Sequence, residues 1–356
     1  MTAASTLTST DRLLVFAPHP DDETLATGEL IQAARAVGAN VRVIFATDGD
    51  DNPWPQRWLE RRWRIDAHAR ARWGARRRRE ATAALAVLGV DDTDGARFLG
   101  WPDQGLTAAL IADDRAVAVL AEEIAGFAPT QVALPMLADR HPDHSALRVM
   151  VDLALLRAGV ACTRLGYIVH GAETSPTGTL RGPAERQLRK QQAMLAHTSQ
   201  IALSRRRLLA LAARTEHFDV VEAAAVVPDR ASERLRIPHG PDWVFRRRHE
   251  LLLIIATRSG ERRFRGLVPR FPQSRPIVLS ELAPGDAQRR GLAVEWTGDA
   301  AIVTLPPLAS PPTAIYAKLD RVRPRLIIFD RELWRDAPAL VDAANAPALG
   351  AEPRPA

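Results

Sequence analysis

Leu13-Leu14-Val15-Phe16-Ala17-Pro18-His19-Pro20-Asp21-Asp22-Glu23-Thr24 is the stretch from which the fold is read. Leu13 to Ala17 are continuously apolar, which predicts a strand covered on both faces of a parallel sheet. Pro20 suits the first position of a following helix, where its missing N–H costs nothing. His19 and Asp22 then stand about one helical turn apart, so their side chains can converge on one point. A histidine and a carboxylate placed in this way make two thirds of a metal site.

The same pattern recurs downstream. Val132-Ala133-Leu134-Pro135 is apolar, Arg140-His141-Pro142-Asp143-His144 follows, and a helical pattern runs from Ser145 to Ala158. In an open α/β sheet, ligands gather beyond the carboxyl ends of the strands, where neighbouring loops diverge. Two such loops facing each other bring His19, Asp22 and His144 together. Two imidazoles and one carboxylate, with a position left for water, are a common composition for catalytic zinc. The ordinary alternative is that the histidines are turn residues and the acids helix caps.

Pro18 to Glu23 together with His141-Pro142-Asp143-His144 resemble the PIG-L/LmbE family of zinc-dependent N-deacetylases, which remove acetyl groups from N-acetylglucosamine-type sugars. Either tetrapeptide alone is a weak signal; both in this order, each after a strand, are a strong one. The resemblance implies a Rossmann-like, mostly parallel sheet with helices on both faces, and Zn2+ held by His19, Asp22 and His144. It assigns Asp21 the general-base role. It also matches an Arg-x-x-Glu signature at Arg77 and Glu80, implying a substrate contact for Arg77, and places Asp48 of Thr47-Asp48-Gly49 beside the site. Trp101-Pro102-Asp103-Gln104-Gly105 resembles a further family loop, with Asp103 a candidate for binding sugar hydroxyls; Asp48 and Asp103 are also ordinary turn formers.

Amide hydrolysis needs an activated water, a stabilised oxyanion and a proton for the departing amine. Asp21 adjoins Asp22 but projects differently, so it can accept the water proton. His141, one turn before His144, is expected on the carbonyl side, where an imidazolium would stabilise the oxyanion and help protonate the amine. Asp143 is expected to hold His141 in its tautomer. Glu23 is expected to cap the helix or brace the metal loop.

Composition narrows the alternatives. Hydrophobic content of 46% and charged content of 25% are those of a globular protein, and 356 residues exceed one small core. Cys162 is the only cysteine, so no internal disulfide is available. Met1 to Thr10 lack a basic and an apolar signal-peptide region, and no apolar run reaches the ~20 residues of a membrane span. A cytoplasmic protein is expected. The formal charge of +6 is carried mostly by arginine but offset by 42 acidic residues, and no nucleic-acid motif is present, so no nucleic-acid partner is expected. The oligomeric state is not legible.

Along the chain, Leu25 to Val37 are expected to be helical up to Gly38, followed by strands at Val41 to Ala46 and Ala96 to Gly100 and helices at Arg76 to Gly89 and Asp113 to Phe127. Arg164 to His170 reads as a strand and Pro183 to His197 as a helix. His197 is read as structural and not as a ligand. Asp51 to Trp73 interleaves Trp54, Trp58, Trp63 and Trp73 with six arginines. Tryptophan faces stack on sugars and arginine forks hold phosphate or carboxylate, so Trp58 is a substrate-binding candidate and the N-acetylated amino-sugar substrate is read as anionic or lipid-linked. The competing reading, given more weight, is an amphipathic flap with packed tryptophans and solvated arginines.

The family-like portion ends near residue 225, giving a deacetylase domain at 1–225 and a β-rich accessory module of unknown role at 226–356. In the latter, short strands are expected at His249 to Thr257, Arg275 to Leu282, Gly291 to Trp296, Ala301 to Leu305, Ala314 to Leu319 and Arg325 to Phe329. Gly298-Asp299 is a candidate hairpin turn, and the whole is expected to form a small sandwich or sheet. Competing functions are a non-haem Fe(II) oxygenase, a non-catalytic glycan-binding protein with a relic site, and a different metal-dependent amidohydrolase. The α/β pattern argues against the first, and the intact Asp21 and His141 argue against the second.

Overall fold

A computed structural model of the chain describes residues 7–91, 94–171, 176–222, 234–238, 249–268, 277–282, 291–296, 300–305, 310–322, 329–330 and 333–336. The chain divides into two compact units. One comprises Met1–Leu110, Asp114–Ala223 and Ile328–Leu333; the other comprises Ile111–Asp113, Ala224–Ile327 and Trp334–Ala356.

In the first unit the apolar run becomes β1 (Arg12–Ala17), and Leu13 to Ala17 are wholly buried. There follow α1 (Asp22–Ala36), β2 (Asn40–Thr47), α2 (Pro53–Glu60), α3 (Ala67–Val87), β3 (Ala96–Trp101), α4 (Leu106–Ala112), α5 (Arg115–Phe127) and β4 (Gln131–Pro135). Then come α6 (Pro142–Ala158), β5 (Thr163–Tyr167), β6 (Gly178–Leu180), α7 (Ala184–Ala196), α8 (Thr198–Ala212) and β7 (Glu216–Val220). The sheet order is β3-β2-β1-β4-β5-β7-β6. The first five strands are parallel, and β7 runs antiparallel to β5 and β6. The α/β class with a mostly parallel sheet is therefore as expected.

Strand order reverses between β1 and β4, because β1 continues to β2 on one side and meets β4 on the other. Loops leaving these two strands diverge and open a crevice. His19 leaves β1 there, and His141 leaves β4. α1 ends as the sequence suggests: Gly38 takes φ +82°, a left-handed conformation that suits glycine. α3 begins nine residues before the expected Arg76. Asp66 caps it by accepting the Ala69 N–H at 2.7 Å, and Ala69, Trp73, Ala81, Ala84 and Leu85 bury one face beneath the arginines.

A buried ion pair ties three elements together. Lys190 of α7 donates to Glu216 of β7 at 2.7 Å, and both side chains are fully buried. Glu216 also accepts the Glu29 and Leu30 N–H groups of α1 at 2.7 and 3.0 Å. Burial pushes the Glu216 carboxyl up, against the pull of Lys190 and the two amides. Gly28 makes room for the lysine stem, since a Cβ there would lie 3.0 Å from Lys190 Cγ.

The second unit contains β8 (Arg234–Pro238), β9 (His249–Thr257), β10 (Gly260–Leu267), β11 (Ile277–Glu281), β12 (Gly291–Trp296), β13 (Ala300–Thr304), β14 (Pro312–Arg321) and β15 (Arg335–Asp336). They form one antiparallel sheet in the order β15-β14-β9-β10-β11-β12-β13-β8. Among the described residues this is a single sheet and not a sandwich. Leu251, Leu253 and Ile255 of β9 pack with Phe264, Ile315 and Ala317 in its core. β8 and β10 were not expected, because β10 is rich in charge. Its arginines are matched across the ladder, Arg262 with Glu281 at 2.7 Å and Arg265 with Glu250 at 2.6 Å. Gly298-Asp299 and residues 325–328 of the last expected strand lie outside the described residues; Phe329 belongs to the first unit.

Removing one partner of a buried pair strands the other charge. Lys190→Met should cost about 3–5 kcal/mol in denaturant unfolding, and Lys190→Met with Glu216→Gln should recover most of that loss.

Candidate metal centre

The turn after β1 is backbone-strained. Asp21 has φ 114° and ψ −26°, an unusual conformation for a residue with a Cβ, of the kind that clusters at functional sites. It is held because its N–H donates to Glu23 Oε2 at 2.8 Å and its carbonyl accepts the Leu25 N–H at 2.9 Å. Glu23 Oε1 in turn contacts His197 Nε2 at 3.0 Å and accepts the Thr24 hydroxyl at 2.6 Å. Glu23 thus braces the loop, and His197 anchors Glu23.

The turn sends the two adjacent carboxylates in different directions. Asp22 Oδ2 lies 3.2 Å from His19 Nδ1 and 3.2 Å from His144 Nε2. Asp21 faces the Arg77 guanidinium at 3.4 Å. Each imidazole has its far nitrogen held by carboxylate. His19 Nε2 lies 3.2 Å from Asp103 and 3.4 Å from Asp143, and His144 Nδ1 lies 3.0 Å from Asp139. Asp139 is wholly buried and also accepts the main-chain N–H groups of His141, Val169 and His170.

These residues could hold a divalent cation. His144 Nε2 is fully buried yet has no aligned hydrogen-bond partner, although Asp22 is close. A nitrogen left without a hydrogen bond and facing a carboxylate and a second imidazole has the surroundings of a metal donor. The nitrogen and oxygen donors suit Zn2+, and carboxylates behind metal-bound histidines orient such ligands. His141 also approaches, since atoms of His19, His141 and His144 lie within 4.8 Å of one another. Its Nδ1, however, accepts the Asp143 N–H at 3.2 Å, which leaves Nε2 to carry the proton of the neutral ring.

Electrostatics separate the groups. Burial raises the Asp21 carboxyl to about 6, against the pull of Arg77. Burial also opposes charge on Asp22, but His144 and His19 outweigh it and hold Asp22 well below the carboxylate range. Burial, reinforced by the positive fields of His19, His144 and His170, pushes His141 well below its ordinary value. The expected imidazolium is therefore disfavoured, and a neutral His141 donates through Nε2–H. The carboxylate of Asp143 accepts the N–H groups of Gln104 at 2.6 Å and Leu106 at 3.1 Å. Its main-chain N–H, and not its carboxylate, meets His141.

The cleft over these groups has a volume of about 220 Å³ and is lined by His19, Asp21, Asp22, Arg77, Asp103 and His141, among others. Arg77 reaches it from α3 while donating to the carbonyls of Gly49 and Pro20. Glu80, the other half of its signature, accepts the Ser199 N–H at 3.0 Å and so caps α8. Asp103 lines the cleft but faces His19. Asp48 is not brought to the cleft, because Arg78 takes both of its oxygens at 2.7 Å. Trp58 does not line it either. Trp54, Trp58 and Trp63 are 62%, 68% and 77% exposed, so of the four tryptophans only Trp73 packs inside, contrary to the packed-flap expectation. Asn52 and Pro55 beside them do line the cleft.

Sequence reading missed Asp139, His170, Arg207 and Phe329. Asp139 stands two residues before His141, and His170 follows β5, so both carried a positional signal. Arg207 and Phe329 carried none.

Residues 14–155 match the family described as PIG-L: GlcNAc-PI de-N-acetylase. Over 106 residues the chain is 42% identical to a 1D-myo-inositol 2-acetamido-2-deoxy-alpha-D-glucopyranoside deacetylase of Mycolicibacterium vanbaalenii, covering 27% of this chain and 34% of that relative. The chain thus spans about a third of that relative's length. An enzyme of the same description from Mycobacteroides abscessus is 31% identical over 186 residues, covering 48% of this chain and 64% of the relative. The solved structure of N,N'-diacetylchitobiose deacetylase from Pyrococcus horikoshii aligns with a TM-score of 0.46 and 19% identity, covering 59% of this chain and 84% of that one.

If Asp139 orients His144 toward a cation, Asp139→Asn should weaken zinc binding by about 10–100-fold in chelator competition. His144→Ala should abolish stoichiometric zinc.

Proposed function

We infer that the protein, whose residues 14–155 match the PIG-L family, is a zinc-dependent hydrolase that removes the N-acetyl group of an N-acetylglucosamine-type sugar. The products are acetate and a free amine. The observation that carries this reading is the approach of His19 and His144 to one carboxylate, Asp22, with Asp21 and His141 beside them. The relatives suggest a glucosaminide of a polyol such as inositol as the nearest substrate type. An anionic or lipid-linked aglycone is the finer form of the proposal.

We assign zinc binding to His19, Asp22 and His144. When bound, the cation supplies Lewis acidity that makes water nucleophilic near neutral pH. Asp21 accepts the proton of the attacking water, and its raised affinity for protons matches that task. Arg77, 3.4 Å away, fixes the direction of the carboxylate. His141 donates an Nε2–H hydrogen bond to the oxygen that becomes anionic as the acetyl carbon turns tetrahedral. The protonated Asp21 then returns its proton to the amine nitrogen as the C–N bond breaks. Asp143 contributes through its N–H, which sets the His141 tautomer, and through a carboxylate that joins Asp103 behind His19.

No helix among the described residues is long and apolar enough to cross a membrane; a cytoplasmic location is part of the proposal. Asp48 and Trp58 are retained only as outer contacts for a long aglycone, since neither lines the cleft.

Asp21→Asn should retain zinc while kcat falls by about 10²–10⁴-fold. Because the base must be deprotonated, wild-type kcat/KM should rise with pH through about 6, and this limb should vanish in the variant. Metal-replete protein inactive on a broad panel of N-acetylglucosaminides would overturn the reading.

A further inference from the structure

The orientation of α2 is inverted relative to a helix that covers a core. Its polar Gln56 is buried, with the side-chain amide donating to the Ala69 carbonyl of α3 at 2.7 Å, and Pro55 is buried beside it. Trp54, Trp58 and Leu59 face solvent instead, and Trp63, just past the helix, is exposed as well. Four of the twelve exposed large apolar side chains among the described residues therefore fall within ten residues of sequence. Trp54 and Trp58 stand four residues apart, on one face of the helix. A single exposed apolar side chain is ordinary, but a cluster of three tryptophans marks an interaction surface. None of the three lines the metal cleft or the two cavities next to it, so they project from the surface and do not wall a pocket.

The charge around these rings has one sign. Residues 51–73 hold six arginines and three acids, Asp51, Glu60 and Asp66, and each acid is already engaged. Asp51 pairs with Arg70 at 2.7 Å, Glu60 pairs with Arg72 at 3.2 Å, and Asp66 accepts the Ala69 N–H at 2.7 Å. Among the described residues Arg57, Arg61, Arg62 and Arg64 form no ion pair, and the last three are exposed. Arg57 is set between two of the rings. Its guanidinium lies 5.0 Å from the Trp54 centroid and 5.2 Å from that of Trp63, and its Nε donates to the Trp63 carbonyl at 3.0 Å. Arg61, with φ 51°, turns the chain back at the end of α2. A guanidinium is weakly hydrated, and between aromatic faces it can accompany the rings out of bulk water.

We propose that the Trp54–Arg64 patch docks the protein reversibly on an anionic lipid bilayer, with the three indoles at headgroup depth and the four arginines on lipid phosphates. Such a surface offers negative charge and an adjoining apolar layer, and it receives projecting tryptophans without a pocket of matching shape. A single-stranded nucleic acid would also meet arginines and ring faces. However, Trp54 and Trp63 already turn a face to Arg57, which reduces the area open to stacked bases. With only eight residues in α2, the contact is a shallow anchor and not an inserted helix. The docking goes beyond the deacetylase reading and does not depend on it. Asn52 and Pro55 line the cleft, so its mouth is tied to the same patch.

The test is co-sedimentation of the full-length protein with vesicles of phosphatidylcholine, alone or with about 30% phosphatidylglycerol, at low and high salt. Binding should require the anionic lipid and should fall by about 10-fold or more as salt is raised. Arg61→Ser with Arg62→Ser should weaken it by about 30-fold, and Trp54→Ala with Trp63→Ala by about 10-fold, with unfolding midpoints unchanged. Brominated acyl chains should quench the wild-type tryptophan fluorescence, a measure of insertion that stands even where a variant fails to fold. No sedimentation with anionic vesicles at low salt, or binding that the folded variants leave unmoved, would overturn the docking. Capture of a single-stranded oligonucleotide, or dimer formation in sedimentation velocity, lost in the same variants and without vesicle binding, overturns it in favour of nucleic acid or a second copy. Amine release from soluble N-acetylglucosaminides is read separately, so its absence sinks the deacetylase reading and leaves the vesicle result to decide the docking.

Discussion

One carboxylate, Asp22, sits nearly buried between two imidazoles. Burying that many ionisable groups is unfavourable unless each is compensated. The surrounding structure is a chain of compensations: Asp103 and Asp143 behind His19, and Asp139 behind His144. Asp139 also gathers three main-chain N–H groups, from the loop after β4 and the segment after β5. The adjacency of β1, β4 and β5 in a parallel sheet makes this possible, because it delivers all their carboxyl-end loops to one edge.

α3 has a larger part than its charged sequence suggests. Arg77 ties the loops after β1 and β2 through the Pro20 and Gly49 carbonyls while facing Asp21. A Cβ on Gly49, which has φ +61°, would collide with that guanidinium, so glycine is needed twice over. One turn further along, Glu80 caps α8, the helix that carries Arg207 to the cleft. A single helix thereby sets Asp21, the loops and one wall of the cleft.

Asp21 and Asp22 show how neighbouring residues of one type come to hold different protons. Asp22 is buried and Asp21 partly so, but Asp22 faces two imidazoles and stays ionised, while Asp21 faces one guanidinium at longer range and its proton affinity rises. That separation follows from the strained turn at Asp21, which points the two side chains apart. It gives the proposed metal donor and the proposed base their distinct characters.

The α/β class, the strands that deliver the two motifs and the convergence of His19, Asp22 and His144 were legible in the residues themselves. Apolar runs ending in His-Pro-Asp report burial and strand termination locally, so order along the chain suffices for them. The charged strand β10 and the exposure of Trp54, Trp58 and Trp63 were not legible, since each depends on what lies opposite. Tertiary structure alone turned Asp48 to Arg78 and gave Asp103 to His19. It also brought Phe329 to the cleft. Residue type and spacing determine which groups can bind metal or move protons; which partner each group faces is decided by contacts between segments far apart in the chain, where local pattern carries no information.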